Sequence, residues 1–186
     1  MKKKNIFCFG FGQVAKSFIK KLNFEKNSFN LITTSRKKTS EKKFDKFKYK
    51  SLQFEGDNFD IKIIDEIKKA SHILVSTPPE TEDHIIKNFL KTIQASNSLK
   101  WFAYLSSTVV YGNHDGRWVN EETSTIPTTD RGIRRLKAEL KFKNLNLPLV
   151  IFRLSGIYSN ENNVFKRLKE NMTRIIEMEN KIFSRV

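Results

Sequence analysis

Gly10-Phe11-Gly12-Gln13-Val14-Ala15 stands between two runs of different periodicity. Before it, residues 5–9 (Asn-Ile-Phe-Cys-Phe) read as a short buried strand. After it, Val14, Ala15, Phe18, Ile19 and Leu22 recur at helical spacing. This is the strand–turn–helix context that a G-x-G-x-x-[GA] turn needs, and each small residue has a mechanical job in it. Gly10 makes the tight turn, Gly12 lets a pyrophosphate approach the backbone, and Ala15 lets the helix pack closely on the strand. The helix N-terminus adds unpaired N–H groups and a positive dipole end. The six residues from Gly10 through Phe11, Gly12, Gln13 and Val14 to Ala15 are therefore the expected dinucleotide-binding turn. A glycine-rich turn of purely structural use is the competing reading.

Outward from this turn, strand and helix patterns alternate. Residues 29–34 read as a second strand, 35–48 as a Lys- and Ser-rich connection, and 49–54 as a weaker third strand. Ile61, Ile63, Ile64 and Ile67 mark a short helix, and 72–77 a strand stopped by Pro78-Pro79. Ile85, Ile86, Phe89, Leu90 and Ile93 form a helical stripe, and 101–105 another strand. Ile133, Leu136, Leu140 and Leu145 mark a longer helix, and 149–154 a last strand. Such alternation implies parallel pairing with right-handed crossovers. The expected fold class is α/β, a doubly wound parallel sheet of the Rossmann type. Residues 1–160 are expected to form the nucleotide-binding domain, and 161–186 the start of an incomplete substrate-side region. Within that region 162–174 read as a solvent-facing helix, and 182–186 as the beginning of a further element of a truncated chain.

Composition narrows the function classes. The formal net charge is +15, but Lys is scattered through nearly every segment. There is no arginine-rich stripe, zinc-finger spacing or RNP-like aromatic motif, so specific nucleic-acid binding is not expected. The single cysteine, Cys8, excludes an intrachain disulfide and suits a reducing cytoplasm. No stretch approaches the roughly 20 apolar residues that span a bilayer. Gly10, Gly12 and Gln13 break the apolar run that follows the N-terminal lysines, so no signal-peptide core is read there. No His/Cys/Asp cluster has metal-ligand spacing.

The end of the second strand bears on the cofactor. An acid about twenty residues after the glycines binds the ribose 2′-hydroxyl of NAD. Here the stretch is Thr33-Thr34-Ser35-Arg36-Lys37-Lys38, and the next acid is Glu41. Ser35 and Arg36 suit a 2′-phosphate, because a guanidinium fork matches phosphate oxygens. This favours NADP over NAD, with NAD still admissible. The alternative for Arg36 is that it belongs to the general excess of basic residues.

A second motif, Tyr104-Leu105-Ser106-Ser107-Thr108-Val109-Val110-Tyr111-Gly112, resembles the strand end of extended short-chain dehydrogenases, the NAD-dependent epimerase/dehydratase family. Gly56-Asp57, Ser76-Thr77-Pro78-Pro79 and Arg153-Leu154-Ser155-Gly156-Ile157-Tyr158 are similar to further family segments, in the same order. The G-x-G-x-x-A turn departs from the commoner G-x-x-G-x-x-G and resembles a divergent, atypical branch, as do residues 111–116 and 118–121. The resemblance implies that Asp57 lies near the adenine and that Ser76, Thr77, Pro78 and Ser106 line the cofactor. It also implies a catalytic Ser, Tyr and Lys. Ser107 matches the Ser, with a plain strand-end serine as the alternative. The Tyr-x-x-x-Lys is absent: Arg131 stands where Tyr belongs and Arg135 where Lys belongs. An arginine cannot donate a proton near pH 7. Arg135 can still hold the nicotinamide ribose and Arg131 clamp an anionic group, or both decorate a solvated helix face. Tyr111 and, after it, His114 are the alternative proton carriers. The resulting expectation is an NADP-dependent oxidoreductase or epimerase acting on a carbonyl or nucleotide-sugar substrate, with a homodimer admissible. A catalytically inactive dinucleotide-binding sensor or partner-binding module is its rival.

Overall fold

The computed structural model describes residues 3–24, 29–159 and 163–170. In chain order the elements are β1 (Lys4–Phe9), α1 (Gln13–Phe24), β2 (Phe29–Ser35), β3 (Ser40–Phe44), β4 (Phe47–Glu55), β5 (Asn58–Phe59), α2 (Lys62–Lys69), β6 (His72–Val75), α3 (Pro79–Gln94), β7 (Trp101–Ser107), a 3-10 turn (Thr108–Tyr111), α4 (Asp130–Lys143), β8 (Leu149–Leu154) and α5 (Val164–Lys169). The sheet order is β3-β4-β2-β1-β6-β7-β8, with β5 paired to β4. All neighbours from β4 to β8 along this path run parallel. The order turns back on itself between β1 and β6, the point at which a doubly wound sheet opens a crevice at its C-terminal edge.

The sequence explains the layering. Residues 6–9 of β1 are buried throughout, as suits a central strand covered on both faces. On one face Ile63 and Ile67 of α2, Ile85, Phe89 and Ile93 of α3, and Ala138 and Phe142 of α4 pack against Phe7, Phe9, Leu52, Ile73 and Phe102. On the other, Ala15 and Ile19 of α1 pack against Ile6, Cys8, Leu31, Leu74 and Ala103. Burial pushes the Cys8 thiol up to about 12, so it sits there as a small hydrophobe. Pro79 opens α3 where its missing N–H costs nothing. Thr129 caps α4 by accepting a bond from the Gly132 N–H at 3.1 Å.

Two expectations need correction. Residues 35–48 are not a plain connection: they contain β3, which runs antiparallel to β4 and pairs Ser40 with Ser51 and Phe44 with Phe47. The sheet is therefore mixed at this edge, and a hairpin stands where an unstructured Lys- and Ser-rich connection was expected between β2 and β4. The α4 stripe is also out of phase. Ile133 and Leu140 are exposed, whereas Gly132, Arg135, Ala138, Glu139 and Phe142 face inward. The buried phase carries two charged residues, so apolar periodicity alone picked the wrong face. Of the expected helix over 162–174, the structure gives α5, and 171–174 lie outside the described residues, as do 182–186. Among the described residues no helix is long and apolar enough to cross a membrane.

Phe89 is the ring on which this core centres. It lies 4.8, 5.5 and 5.7 Å, centroid to centroid, from Phe59, Phe54 and Phe9. Phe89→Ala should cost about 3–5 kcal/mol of unfolding free energy in urea titration. A loss below about 1 kcal/mol would contradict this packing.

Candidate functional site

The glycine turn lies at the reversal of strand order. Gly10 adopts φ +78°, and a Cβ built on it would come within 3.1 Å of both the Ser76 carbonyl oxygen and Thr77 Cγ2. Both its backbone conformation and its closeness to the end of β6 therefore require glycine. Its N–H donates to Thr34 Oγ1 at 2.9 Å, tying the turn to the end of β2. Ser76 N donates to the Phe9 carbonyl oxygen at 2.9 Å, tying it to β6. A Cβ on Gly12 would meet only Ser76 Oγ, at 3.9 Å, so the space in front of Gly12 is open. The first helical bond of α1 runs from Lys16 N to Gly12 O at 2.9 Å. The N–H groups of Gln13, Val14 and Ala15 consequently have no intrahelical acceptor. The first turn of α1 contains no acid. Ala15, wholly buried, seats the helix on the sheet. A diphosphate fits this cradle, because it needs open backbone, free N–H donors and no competing carboxylate.

Around the cradle the expected cofactor residues fall in different states. Thr34 is committed to Gly10, and Thr33 is buried in the sheet. Of the hydroxyls at the end of β2, Ser35 is the one left at the crevice, accepting from Ser51 Oγ at 3.1 Å. Arg36 follows it, exposed. Pro78 is exposed at the start of α3, beside the buried Thr77. Asp57 sits in the β4–β5 turn and faces α3. It accepts from Lys87 Nζ at 2.6 Å and Asn88 Nδ2 at 3.2 Å, and lies 3.3 Å from His84 Nδ1. These bonds, Lys87 first, hold its carboxyl down at about 2.

A second group assembles at the C-terminal ends of β7 and β8. Ser106 turns its hydroxyl inward and donates to Glu139 Oε1. Glu139, completely buried, is gripped by Arg153, whose Nη2 reaches Oε2 at 2.8 Å and whose Nε bridges both oxygens at 3.2 Å. The bond to Glu139 raises the Arg153 pKa above the usual guanidinium value, against an opposing desolvation and with help from Tyr111. The Arg153 guanidinium lies 4.8 Å from the Tyr111 ring centroid. Neither Glu139 nor Arg153 was assigned a site role from sequence. An acid on the buried phase of a helix gives no periodicity signal.

Ser107 remains at the strand end, its Oγ accepting from Val109 N at 3.4 Å, which leaves its own proton available. Arg131 is exposed on the first turn of α4. Arg135 is 8% exposed and therefore does not decorate a solvated face. Its Nη1 donates to the Leu105 carbonyl oxygen at 2.6 Å and to Tyr104 Oη at 3.1 Å. Tyr111 is buried, edge-on to His114 at 6.4 Å. A cavity of about 830 Å³ opens from Thr108 along the edge of β8, with Tyr111, His114, Trp118, Asn120 and Arg153 in its wall. A groove of about 770 Å³ lies at the opposite, N-terminal edge of β1, β2 and β4, the end of a doubly wound sheet that does not assemble ligand sites. Among the described residues no group of three His, Cys, Asp or Glu side chains is placed to hold a metal.

No protein-family model matches the chain, and no curated protein does. Solved structures do. A conserved protein of unknown function from Silicibacter pomeroyi DSS is 29% identical over 99% of this chain and 64% of its own length, with a TM-score of 0.78. A short-chain dehydrogenase/reductase superfamily protein from Agrobacterium tumefaciens with bound NAD is 17% identical over 81% of this chain and 49% of its own, with a TM-score of 0.59. The UDP-glucuronic acid 4-epimerase of Bacillus cereus, in complex with UDP-glucuronic acid and NAD, is 16% identical over 90% of this chain and 62% of its own, with a TM-score of 0.63. The chain thus spans between about half and two thirds of the length of these structures. The family resemblance read from the sequence is borne out at the level of the fold.

The Glu139 network generates a stability prediction. Glu139→Ala leaves Arg153 and Ser106 without their buried acceptor, and should lower unfolding free energy by about 3–5 kcal/mol. Urea titration checks it, and a variant as stable as the parent would show that the network carries little.

Proposed function

We propose that this chain is an extended short-chain dehydrogenase of the epimerase/dehydratase kind that binds a nicotinamide dinucleotide, NADP in preference to NAD. The observation that carries the reading is the cradle at the strand reversal. Gly10 is pinned between the ends of β2 and β6, Gly12 is open, and α1 points unpaired N–H groups at the space between. Two of the similar structures hold NAD. The preference for NADP rests on the end of β2, which carries Ser35 and Arg36 and no acid.

The chemistry follows from where the side chains end. A bound nicotinamide supplies the hydride donor or acceptor. Ser107, with its proton free, is placed to hold a substrate carbonyl or hydroxyl oxygen at the end of β7. Tyr111 and His114 line the cavity that begins beside it, and this cavity is the space for a carbonyl or nucleotide-sugar substrate. Tyr111 is the phenol in the cavity wall for proton transfer, under the field of Arg153. Arg135 holds the end of β7 by its bond to the Leu105 carbonyl, and so positions Ser106 and Ser107. A specific observation favours a second reading, a binding module without turnover. The two positions of the absent Tyr-x-x-x-Lys hold an exposed Arg131 and an inward-bonded Arg135, and neither can transfer a proton at neutral pH.

Titration with NADPH and NADH, followed by nicotinamide fluorescence, tests the reading. Gly12→Val should fold normally yet weaken both dinucleotides by about a hundredfold or more, because its side chain occupies the phosphate space. Arg36→Asp should weaken NADPH far more than NADH. Unchanged binding in Gly12→Val would refute the cradle. Turnover of a carbonyl panel at saturating NADPH separates the enzyme from the module.

A further inference from the structure

The β3–β4 hairpin makes the connection between β2 and β4, and it brings Lys42 to the crevice. On β3, Ser40, Lys42 and Phe44 share one face, and Glu41 and Lys43 lie on the other. Contacts fix this phase: Lys42 reaches Ser51, and Phe44 reaches Phe11. Lys42 is half-buried, and its Nζ lies 3.4 Å from Ser51 Oγ. Ser51 is 1% exposed and passes its own proton to Ser35 Oγ at 3.1 Å. Ser35 is the last residue of β2, at the crevice. The chain Lys42–Ser51–Ser35 therefore runs one way: an ammonium donates to a hydroxyl, which donates to a second hydroxyl that keeps its own proton to donate. An ammonium has three N–H donors, so two remain on Lys42. A hydroxyl polarised in this way favours an anionic acceptor.

The hairpin is also docked on the glycine turn. The Phe11 ring, between the two motif glycines, lies 5.4 Å from Phe44 at 83° and 5.0 Å from Tyr49, the cross-ladder partner of Lys42. At the start of the hairpin, Thr39 Oγ1 donates to Asp60 Oδ2 at 2.6 Å and accepts from Gln53 N at 3.0 Å. The strand that carries Lys42 is thus held at a fixed place relative to the diphosphate cradle.

We propose that Lys42 is a specificity-determining residue. Through Ser51 and Ser35 its charge is presented to a 2′-phosphate at the end of β2, so that the hairpin, together with Arg36, selects NADP over NAD. This rests on the dinucleotide reading above and assigns the selection to an element that reading did not use.

The test is isothermal titration of NADP+ and NAD+ into the wild-type chain, Lys42→Met and Lys42→Arg, with thermal melting of each variant without ligand. Met keeps the length of the stem and removes the charge. Lys42→Met should weaken NADP+ by about tenfold and leave NAD+ unchanged. Lys42→Arg should keep the preference. A folded Lys42→Met that retains the wild-type ratio, or weakens both cofactors equally, overturns the assignment and leaves the cofactor reading standing. Should Lys42→Met not fold, a folded Lys42→Arg with normal preference supports the proposal and one that loses the preference overturns it. A wild-type chain that binds NAD+ as tightly as NADP+ overturns the selectivity proposal. One that binds neither overturns the reading beneath it.

Discussion

The hydrogen bond from Gly10 N to Thr34 Oγ1 is the constraint on which the site depends. It joins the ends of β1 and β2 beside the strand reversal, while the 3.1 Å approach that a Gly10 Cβ would make to Ser76 shows how tightly β6 closes from the other side. With the turn fixed on both flanks, α1 has one direction in which to leave, and its N-terminal N–H groups converge on the crevice. The same fixation orients Thr34. Its hydroxyl accepts the Gly10 N–H and the residue is 3% exposed, so Thr34 is turned into the fold, and Ser35 is the β2 hydroxyl left at the crevice.

The far half of the crevice is organised by charges turned inward. Arg135 and Glu139 lie on the buried face of α4, and each is held there by hydrogen bonds to the neighbouring strands. Glu139 gathers Ser106 and Arg153, and Arg135 takes the Leu105 carbonyl. The result fixes the geometry of β7 and β8 at their C-terminal ends. It also keeps Arg135 bonded inward, to Tyr104 and the Leu105 carbonyl.

The doubly wound arrangement was legible because its signals are local. Strand, glycine turn and helix are contiguous at residues 5–22, and β8 was read with its observed bounds. The hairpin was not legible. Ser-Glu-Lys-Lys-Phe has one apolar residue, and its turn uses Asp45 at φ 53°, without the Asn-Gly or Asp-Gly that marks such turns. The α4 face was misread because its inward phase includes Arg135 and Glu139, whose burial depends on partners 14 to 33 residues away. For the same reason Ser106 was read as facing the cofactor although it bonds within the protein. Residue type gave the chemistry of the site, and only the fold showed which of those groups were already engaged.

The central claim is that backbone N–H groups at the start of α1 cup a diphosphate. Amide hydrogen exchange of the native chain, with and without saturating NADPH, reads those groups directly. The account predicts slowed exchange over residues 12–15, next to the turn and ahead of any change in the distal sheet. Exchange there that is the same with and without the dinucleotide would contradict it.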